Sequence, residues 1–392
     1  MQTPRARLLK VLNGEKPERL PWFGDLSYWH YFMSIRGKLD KKYIGAEGLL
    51  KLHKDLGPGF YYPGYYPYTS IYKNCEVTEV EKNIGISSSF YKGTAYSDTI
   101  YQGNKKGIRK IKDKTNNDHI REVITPLGSI KERWLYAESS LSWSPSEYFI
   151  KSAGDLKILD YWLKSTSFEP EYDQLIVMKD VVGDWGCIVC NLNKSPLMDL
   201  IHWYAGIVTA INTMVDNRKE FTDIIKTLEI KAEETTKIAL KSPSDFMLIP
   251  DNLHSDMVGE NLFEEFLKPY YKKYSDSAKK AGKYSSIYMD GGLKGLLKEI
   301  SEINFSVIEA MTPKPAGDLS LDEFEDYVSS DSVMWGGIPG VLFTSSCSDE
   351  DFKNFVIKVI KKMTSKPRYV LGIADQIPPD GIIERIYKNL LV

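Results

Sequence analysis

Phe246-Met247-Leu248-Ile249-Pro250-Asp251-Asn252-Leu253-His254 is an unbroken apolar run that meets a proline and then turns polar. The run is too short for a stable helix. It also lacks the alternation of a half-exposed strand, so it reads as a strand buried on both faces. Helical spacing precedes it from Arg218 to Lys241 and follows it from Glu260 to Ala281. A buried strand between helices of this length is the repeating unit of a parallel sheet.

The same rhythm continues outward. Further strands are predicted at Leu175 to Lys179, Ser285 to Met289, Phe305 to Ala310, Ser332 to Trp335 and Arg368 to Ile373. Helices are predicted at Leu197 to Val215, Leu293 to Glu302, Leu321 to Val328 and Asp349 to Met363. Upstream, a helix from Arg5 to Leu12 stops at Asn13-Gly14, and an apolar strand runs from Trp22 to Asp25. So many consecutive units favour a closed (β/α)8 TIM-type barrel over an open doubly wound sheet. No Gly-x-Gly-x-x-Gly follows the first strand, which removes support for a dinucleotide fold. Between about residues 60 and 140 the pattern changes to alternation, at Thr94 to Tyr101, Gly107 to Ile111, Ile120 to Ile124 and Ile130 to Tyr136. This predicts antiparallel hairpins: one barrel domain over residues 1–392, with a β insertion at about 60–140 over the barrel mouth.

Composition narrows the functional class. Over 392 residues, 51 Lys and Arg against 53 Asp and Glu leave a net charge of −2, without the basic excess of a nucleic-acid binder. The richest basic stretch, Lys105 to Lys114, is broken by Gly107, isoleucines and Asp113 and reads as a solvated hairpin. No run approaches the length of a membrane span, and the N-terminus lacks the features of a secretory signal. Four scattered cysteines make no disulfide framework, and a reducing cytoplasm fits them. Cys187-x-x-Cys190 has no second pair and reads as two ordinary cysteines. Twenty-five tyrosines are the unusual count, and many fall in Phe60-Tyr61-Tyr62-Pro63-Gly64-Tyr65-Tyr66-Pro67-Tyr68, a loop by its Pro and Gly content.

In a barrel, reactive side chains stand at the C-terminal ends of the strands. Those positions hold Asp25; Asp180 and Asp184; Asp251, Asn252 and His254; Tyr288 and Asp290; Glu309 and Met311; Trp335, Gly336 and Gly337; and Asp375 and Gln376. Several carboxylates facing one barrel mouth need partners, a metal or a substrate. For each, capping the next helix or pairing with a lysine is the competing reading.

The opening Lys10-Val11-Leu12-Asn13-Gly14-Glu15-Lys16-Pro17-Glu18-Arg19-Leu20-Pro21-Trp22 resembles the entry segment of the uroporphyrinogen decarboxylase superfamily. Ile249 to His254, with Phe263-Glu264-Glu265-Phe266-Leu267-Lys268-Pro269-Tyr270, is similar to its strand and long helix. Tyr288-Met289-Asp290-Gly291-Gly292 resembles the loop where its methyltransferases carry a His-x-Cys-Gly zinc motif. Ser306 to Gly317 and Met334-Trp335-Gly336-Gly337-Ile338 resemble its next two strand ends. Tyr369 to Asp380 resembles its last strand, where a second cysteine stands. The likeness runs in order from about residue 5 to 392 and is weakest through 60–140.

The resemblance implies one of two chemistries. Decarboxylation of a tetrapyrrole needs an N-terminal arginine-rich motif, whereas Phe23 to His30 offers an acid and aromatics, with no arginine before Arg36. The other chemistry, the branch to which the chain is likened, moves methyl groups to and from a corrinoid carried by a partner protein. Its His-Cys-Cys zinc set falls on Tyr288, Asp290 and Asp375, an oxygen-rich set poor for thiol activation. Zinc accepts carboxylate oxygen, which leaves Asp290 and Asp375 as its ligands if it binds. The expectation is therefore a methyltransferase acting on a small methylated substrate, a methoxylated aromatic compound, with a corrinoid protein as partner. A homodimer is usual for the family resembled. Candidate catalytic residues are His254, Tyr288, Asp290, Glu309 and Asp375, one of which would protonate the departing oxygen. Candidate substrate contacts are Asp25, Tyr28, Trp29, Tyr65, Asp251 and Trp335. The competing readings are a decarboxylase or other lyase on a small carboxylate, and a catalytically silent barrel subunit of a corrinoid complex.

Overall fold

The computed structural model describes residues 2–81, 104–112, 118–139, 142–324 and 331–389. The chain divides into two compact units. The first is Met1–Gly64 with Asp173–Asn191 and Ser242–Val392; the second is Tyr65–Tyr172 with Leu192–Lys241.

Seven parallel strands build the first unit. In spatial order they are Trp22–Phe23, Tyr369–Ala374, Val333–Pro339, Val307–Met311, Tyr284–Tyr288, Phe246–Ile249 and Val189–Asn191. From Val189–Asn191 to Tyr369–Ala374 each strand neighbours the next one in the chain, and the first strand pairs with the last, Trp22 opposite Leu371 and Phe23 opposite Gly372. A sheet whose first strand lies beside its last has curled on itself, unlike a doubly wound sheet. Isolated parallel bridges extend its two edges: Phe23 to Gly59, and Phe60 to Gly186, just ahead of the opposite edge strand. Among the described residues, no helix is long and apolar enough to cross a membrane.

Two strand assignments change. Leu175 to Lys179 lies in a helix, Asp173–Val182. A short apolar run carries no period of its own, and only tertiary context decides its state. The strand that precedes Phe246 in the sheet is instead Val189–Asn191, which holds Cys190 of the Cys-x-x-Cys pair. Both cysteines are buried free thiols, and burial pushes both pKa values up, so neither is poised as a thiolate. Asp180 and Asp184 thereby leave the strand ends and are exposed. The predicted helix Leu321 to Val328 lies partly outside the described residues, and the predicted strand Thr94 to Tyr101 wholly outside them.

The sheet is pinned at its N-terminal side by Arg5, from the helix Pro4–Leu12. Its guanidinium donates to both Asp245 carboxylate oxygens at 2.6 and 2.9 Å and to the Gly186 carbonyl at 3.0 Å. Asp245 in turn accepts from the Ile188 amide at 2.9 Å. One forked pair therefore sets the opening helix against the starts of two adjacent strands.

Inside the curl, Trp335 is 2% exposed and meets the rings of Tyr61 at 4.6 Å, Phe23 at 5.2 Å and Phe246 at 6.1 Å. Gly372 makes room for it: a Cβ there would stand 2.7 Å from the indole. Val307, Val333, Val370, Val189 and Leu248 complete this core.

The second unit carries a five-stranded sheet, ordered Ile108–Lys112, Glu76–Glu81, Asp118–Thr125, Gly128–Ala137 and Ser142–Glu147. Its last four strands pair antiparallel and its first pair is parallel. A three-stranded sheet of Asn104–Lys106, Tyr68–Tyr72 and Thr166–Pro170 and the long helix Arg218–Ala239 accompany it. Arg121, 1% exposed, pairs with Glu132 at 3.1 Å and Glu79 at 3.8 Å and lies over the rings of Phe149 and Trp162. Burying such charges is tolerable only because they are matched, with Lys105 also 3.7 Å from Glu79.

If Trp335 is a core plug, Trp335→Ala should cost about 3–5 kcal/mol in urea unfolding, and Trp335→Phe clearly less. An unchanged unfolding midpoint in Trp335→Ala would remove the plug from this account.

Candidate active site

Three strand ends bring three carboxyls together. Asp25 follows Trp22–Phe23, Glu309 lies within Val307–Met311, and Asp375 follows Tyr369–Ala374. The local backbone is shaped to present them. Between Glu309 and Met311 the ladder slips its register, and Ala310 adopts φ +60°. A bulge of this kind re-aims neighbouring side chains. Asp375 itself has φ +74°, a left-handed conformation costing a non-glycine residue on the order of 1 kcal/mol, held in place by its surroundings.

Asp25 is 1% exposed, and its Oδ1 accepts from the Ser27 amide at 2.7 Å and from the Ser27 hydroxyl. Glu309, 4% exposed, has the hydroxyls of Tyr61 and Ser286 near enough to favour its charged form. Asp375 accepts from the Tyr288 hydroxyl. Asp25 Oδ2 and Glu309 Oε1 are buried without a hydrogen-bond partner. Burial, then mutual repulsion, opposes ionisation across the cluster. Burial raises Glu309 to about 8, aided by the charges of Asp25 and Asp375. Burial raises Asp25 to about 7 against the Ser27 bonds, with the Asp375 charge adding to it. Burial raises Asp375 to about 6, opposed by the Tyr288 bond and helped by Asp290. The groups acting most strongly on the three include no Lys, Arg or His. The cluster therefore holds protons at neutral pH.

Tyr288, Asp290, Glu309, Asp375 and Asp25 all contribute to this one electrostatic group. Tyr28 is half-buried beside it, its hydroxyl pKa raised by burial and then by Asp375. Trp29 donates its indole N–H to the Gly381 carbonyl at 3.2 Å. Other candidates stand elsewhere. Asp251 is fully buried and accepts from Tyr271 of the helix Lys268–Lys280. His254 is 44% exposed at its side chain, accepts at Nδ1 from the Asp256 amide at 3.2 Å, and packs by Gly291 and Gly292. Trp335 belongs to the apolar core, and Tyr65, 2% exposed, opens the second unit. The aromatic run as a whole is buried, each of its rings 8% exposed or less.

Three contributors escaped the sequence reading: Tyr61, Ser286 and Ser27. Ser286 carries a signal the sequence offers, because residues 284, 286 and 288 share one face of a strand whose end holds the candidate Tyr288. Tyr61 had no such signal within a run of rings.

The metal question has a geometric answer. Among the described residues, no three His, Cys, Asp or Glu side chains converge as a metal site. Within the Tyr288, Asp290 and Asp375 set the Tyr288 hydroxyl donates to Asp375, and its all-oxygen donors are a poor match to the nitrogen and sulfur ligands that zinc favours.

Unfolded Asp and Glu titrate near about 4. Between about pH 4 and 8 the folded cluster thus keeps protons that the unfolded chain has lost, and stability must fall as pH rises through that window. Urea unfolding from about pH 5.5 to 8.5 should show that decline, and Glu309→Gln should flatten its upper half. A wild-type stability that rises steadily over the range would contradict these protonation states.

Residues 200–388 match the family model for uroporphyrinogen decarboxylase (URO-D). By sequence, no curated protein matches the chain. Its structure is similar to that of a methyltransferase from Methanosarcina mazei, at 12% identity, with 99% of this chain and 97% of that chain covered and a TM-score of 0.58. A second likeness is to the GH20 catalytic modules of the pneumococcal exo-β-D-N-acetylglucosaminidase StrH. It has 12% identity, covers 55% of this chain and 60% of that one, and has a TM-score of 0.29, too slight to bear on the fold. Residues 200–388 thus carry the likeness to the uroporphyrinogen decarboxylase (URO-D) family, and the fold is similar to that of the methyltransferase structure over nearly the whole of both chains.

Proposed function

We propose that this chain is a methyltransferase that takes a methyl group from a small methylated substrate, a methoxylated aromatic compound, and passes it to a corrinoid on a partner protein. The observation that carries the reading is the proton-holding cluster of Asp25, Glu309 and Asp375 at the strand ends. The methyltransferase named among the structural matches supports the same class. On this reading the first unit is a closed (β/α)8 barrel, with Gly59-Phe60 standing as the strand between its two bridged edges.

The corrinoid, when bound, supplies the nucleophile that accepts the methyl group. The work left to this chain is to make the substrate's oxygen leave. As the carbon–oxygen bond breaks, its electron pair stays on the oxygen, which needs a proton to depart as a neutral phenol. Glu309, neutral at pH 7, is the best-matched donor, since its raised pKa lies near the working pH. Asp375, oriented by the Tyr288 hydroxyl, is positioned to return a proton between turnovers. Burial keeps bulk water from competing for the leaving oxygen. Tyr61 and Tyr62, whose rings meet at 4.7 Å, and the half-buried Tyr28 offer flat apolar walls.

A decarboxylase acting on a carboxylate substrate is disfavoured by the same cluster. Asp375, the first of the three to ionise, has no basic side chain prominent beside it and would repel an anionic ligand at pH 7. A silent scaffold is disfavoured because unpartnered buried carboxyl oxygens are costly and serve no packing purpose.

The test is methyl transfer from a panel of methoxylated aromatics to a corrinoid protein, followed by the visible-spectrum change on methylation. Glu309→Gln should lose about 10²–10⁴-fold of the transfer rate. His254→Ala, outside the cluster, should stay within a few-fold of wild type. The rate should also fall above about pH 8, as Glu309 loses its proton. No transfer from any donor would remove this function. Full activity in Glu309→Gln would remove only the assigned proton donor.

A further inference from the structure

On the first unit, formed by residues that take no part in the carboxyl cluster, lies a pocket of about 450 Å³ bordered by Arg7, Arg19, Lys54, Val182, Asp184 and Trp185. That volume falls within the range of about 300–1,000 Å³ typical of small-molecule sites. Three cations face it against one acid. Arg7 is the informative one. It is 5% exposed, and its Nε has no hydrogen-bond partner. Its Nη1 donates to the Gln2 carbonyl at 3.1 Å. Its nearest carboxylate, Glu18, stands 3.7 Å off and is itself partly exposed. Burial and then the neighbouring Arg19 charge push the Arg7 pKa down, as expected of a guanidinium short of counter-charge.

The rest of the pocket is chemically different. Trp185 offers an indole held by a hydrogen bond from its N–H to the Pro58 carbonyl at 3.0 Å, and Lys54 lies over that ring at 5.9 Å. Val182 is buried beside it. Guanidinium groups present forked donors matched to phosphate oxygens, and an indole face takes a flat ring. A bare inorganic anion would use the cations and leave the apolar wall idle.

We propose that this pocket binds a phosphorylated compound with a flat aromatic body, of the nucleotide class, its phosphates on Arg7, Arg19 and Lys54 and its ring against Trp185. Nothing in the proposed methyl transfer uses these residues, so the site would serve regulation or a second ligand, and it stands or falls apart from that function.

Isothermal titration of the full chain with adenosine diphosphate tests it, with adenosine and inorganic phosphate as partial probes. Binding of the diphosphate should be at least tenfold tighter than that of either part and should weaken as salt rises. Arg7→Gln should abolish it. Because Arg7 is buried, the double variant of exposed positions, Arg19→Gln with Lys54→Gln, provides the independent check and should weaken it at least tenfold. Trp185→Leu should erase the preference for the diphosphate over inorganic phosphate. No binding of the diphosphate at millimolar concentration, or binding unchanged in the double variant, would overturn the proposal.

Discussion

Three carboxyls withdrawn from water at one end of a curled parallel sheet cannot all carry charge, and no basic side chain stands among their strongest influences to relieve them. The protein must either leave them protonated or supply a cation from outside. This constraint links features that otherwise look unrelated. The hydroxyls of Ser27 and Tyr288 each donate to one of these acids, and those of Tyr61 and Ser286 lie by Glu309. The bulge at Glu309 and the left-handed backbone at Asp375 both fall where the acids are set.

Strain and unpartnered oxygens persist only where the surroundings over-determine them. Here the surroundings are a dry ring stack around Trp335 and a parallel ladder whose first and last strands pair. The Arg5–Asp245 fork fastens the opposite end. Stability is therefore concentrated in apolar packing and one partly buried ion pair at the strand starts, which leaves the strand ends free to hold groups that weaken the fold. On the barrel reading proposed above this is the usual division, in which one face keeps the structure and the other does the chemistry.

Much of this was legible from sequence, and the reasons are specific. Strands such as Phe246–Ile249 and Tyr369–Ala374 are apolar runs flanked on both sides by helices, and it is the flanking helices that mark them as strands. Leu175 to Lys179 carried the same local signal, yet it is helical, because five residues cannot display a period. Asp25, Tyr288, Glu309 and Asp375 could be named because strand-end position marks a residue whatever its environment. Their electrostatic coupling could not be, since it arises from residues far apart in the chain that only the fold brings together. Trp335 shows the opposite limit: it sits on a strand like the acids, but its side chain fills the interior. The aromatic run 60–68 looked like a display of rings and is in fact buried; composition alone does not say which way a ring faces.

The central claim is that carboxyls in the strand-end cluster are neutral at physiological pH. Infrared difference spectroscopy reads that state directly, through the carbonyl stretch that only a protonated carboxylic acid shows. At pH 7 the wild-type protein should carry such a band, which fades on titration above about 8 and is reduced in the Glu309→Gln variant. A wild-type spectrum with carboxylate bands alone at pH 7 would mean that the acids are ionised and matched by a cation, and the proton-donor account would fall.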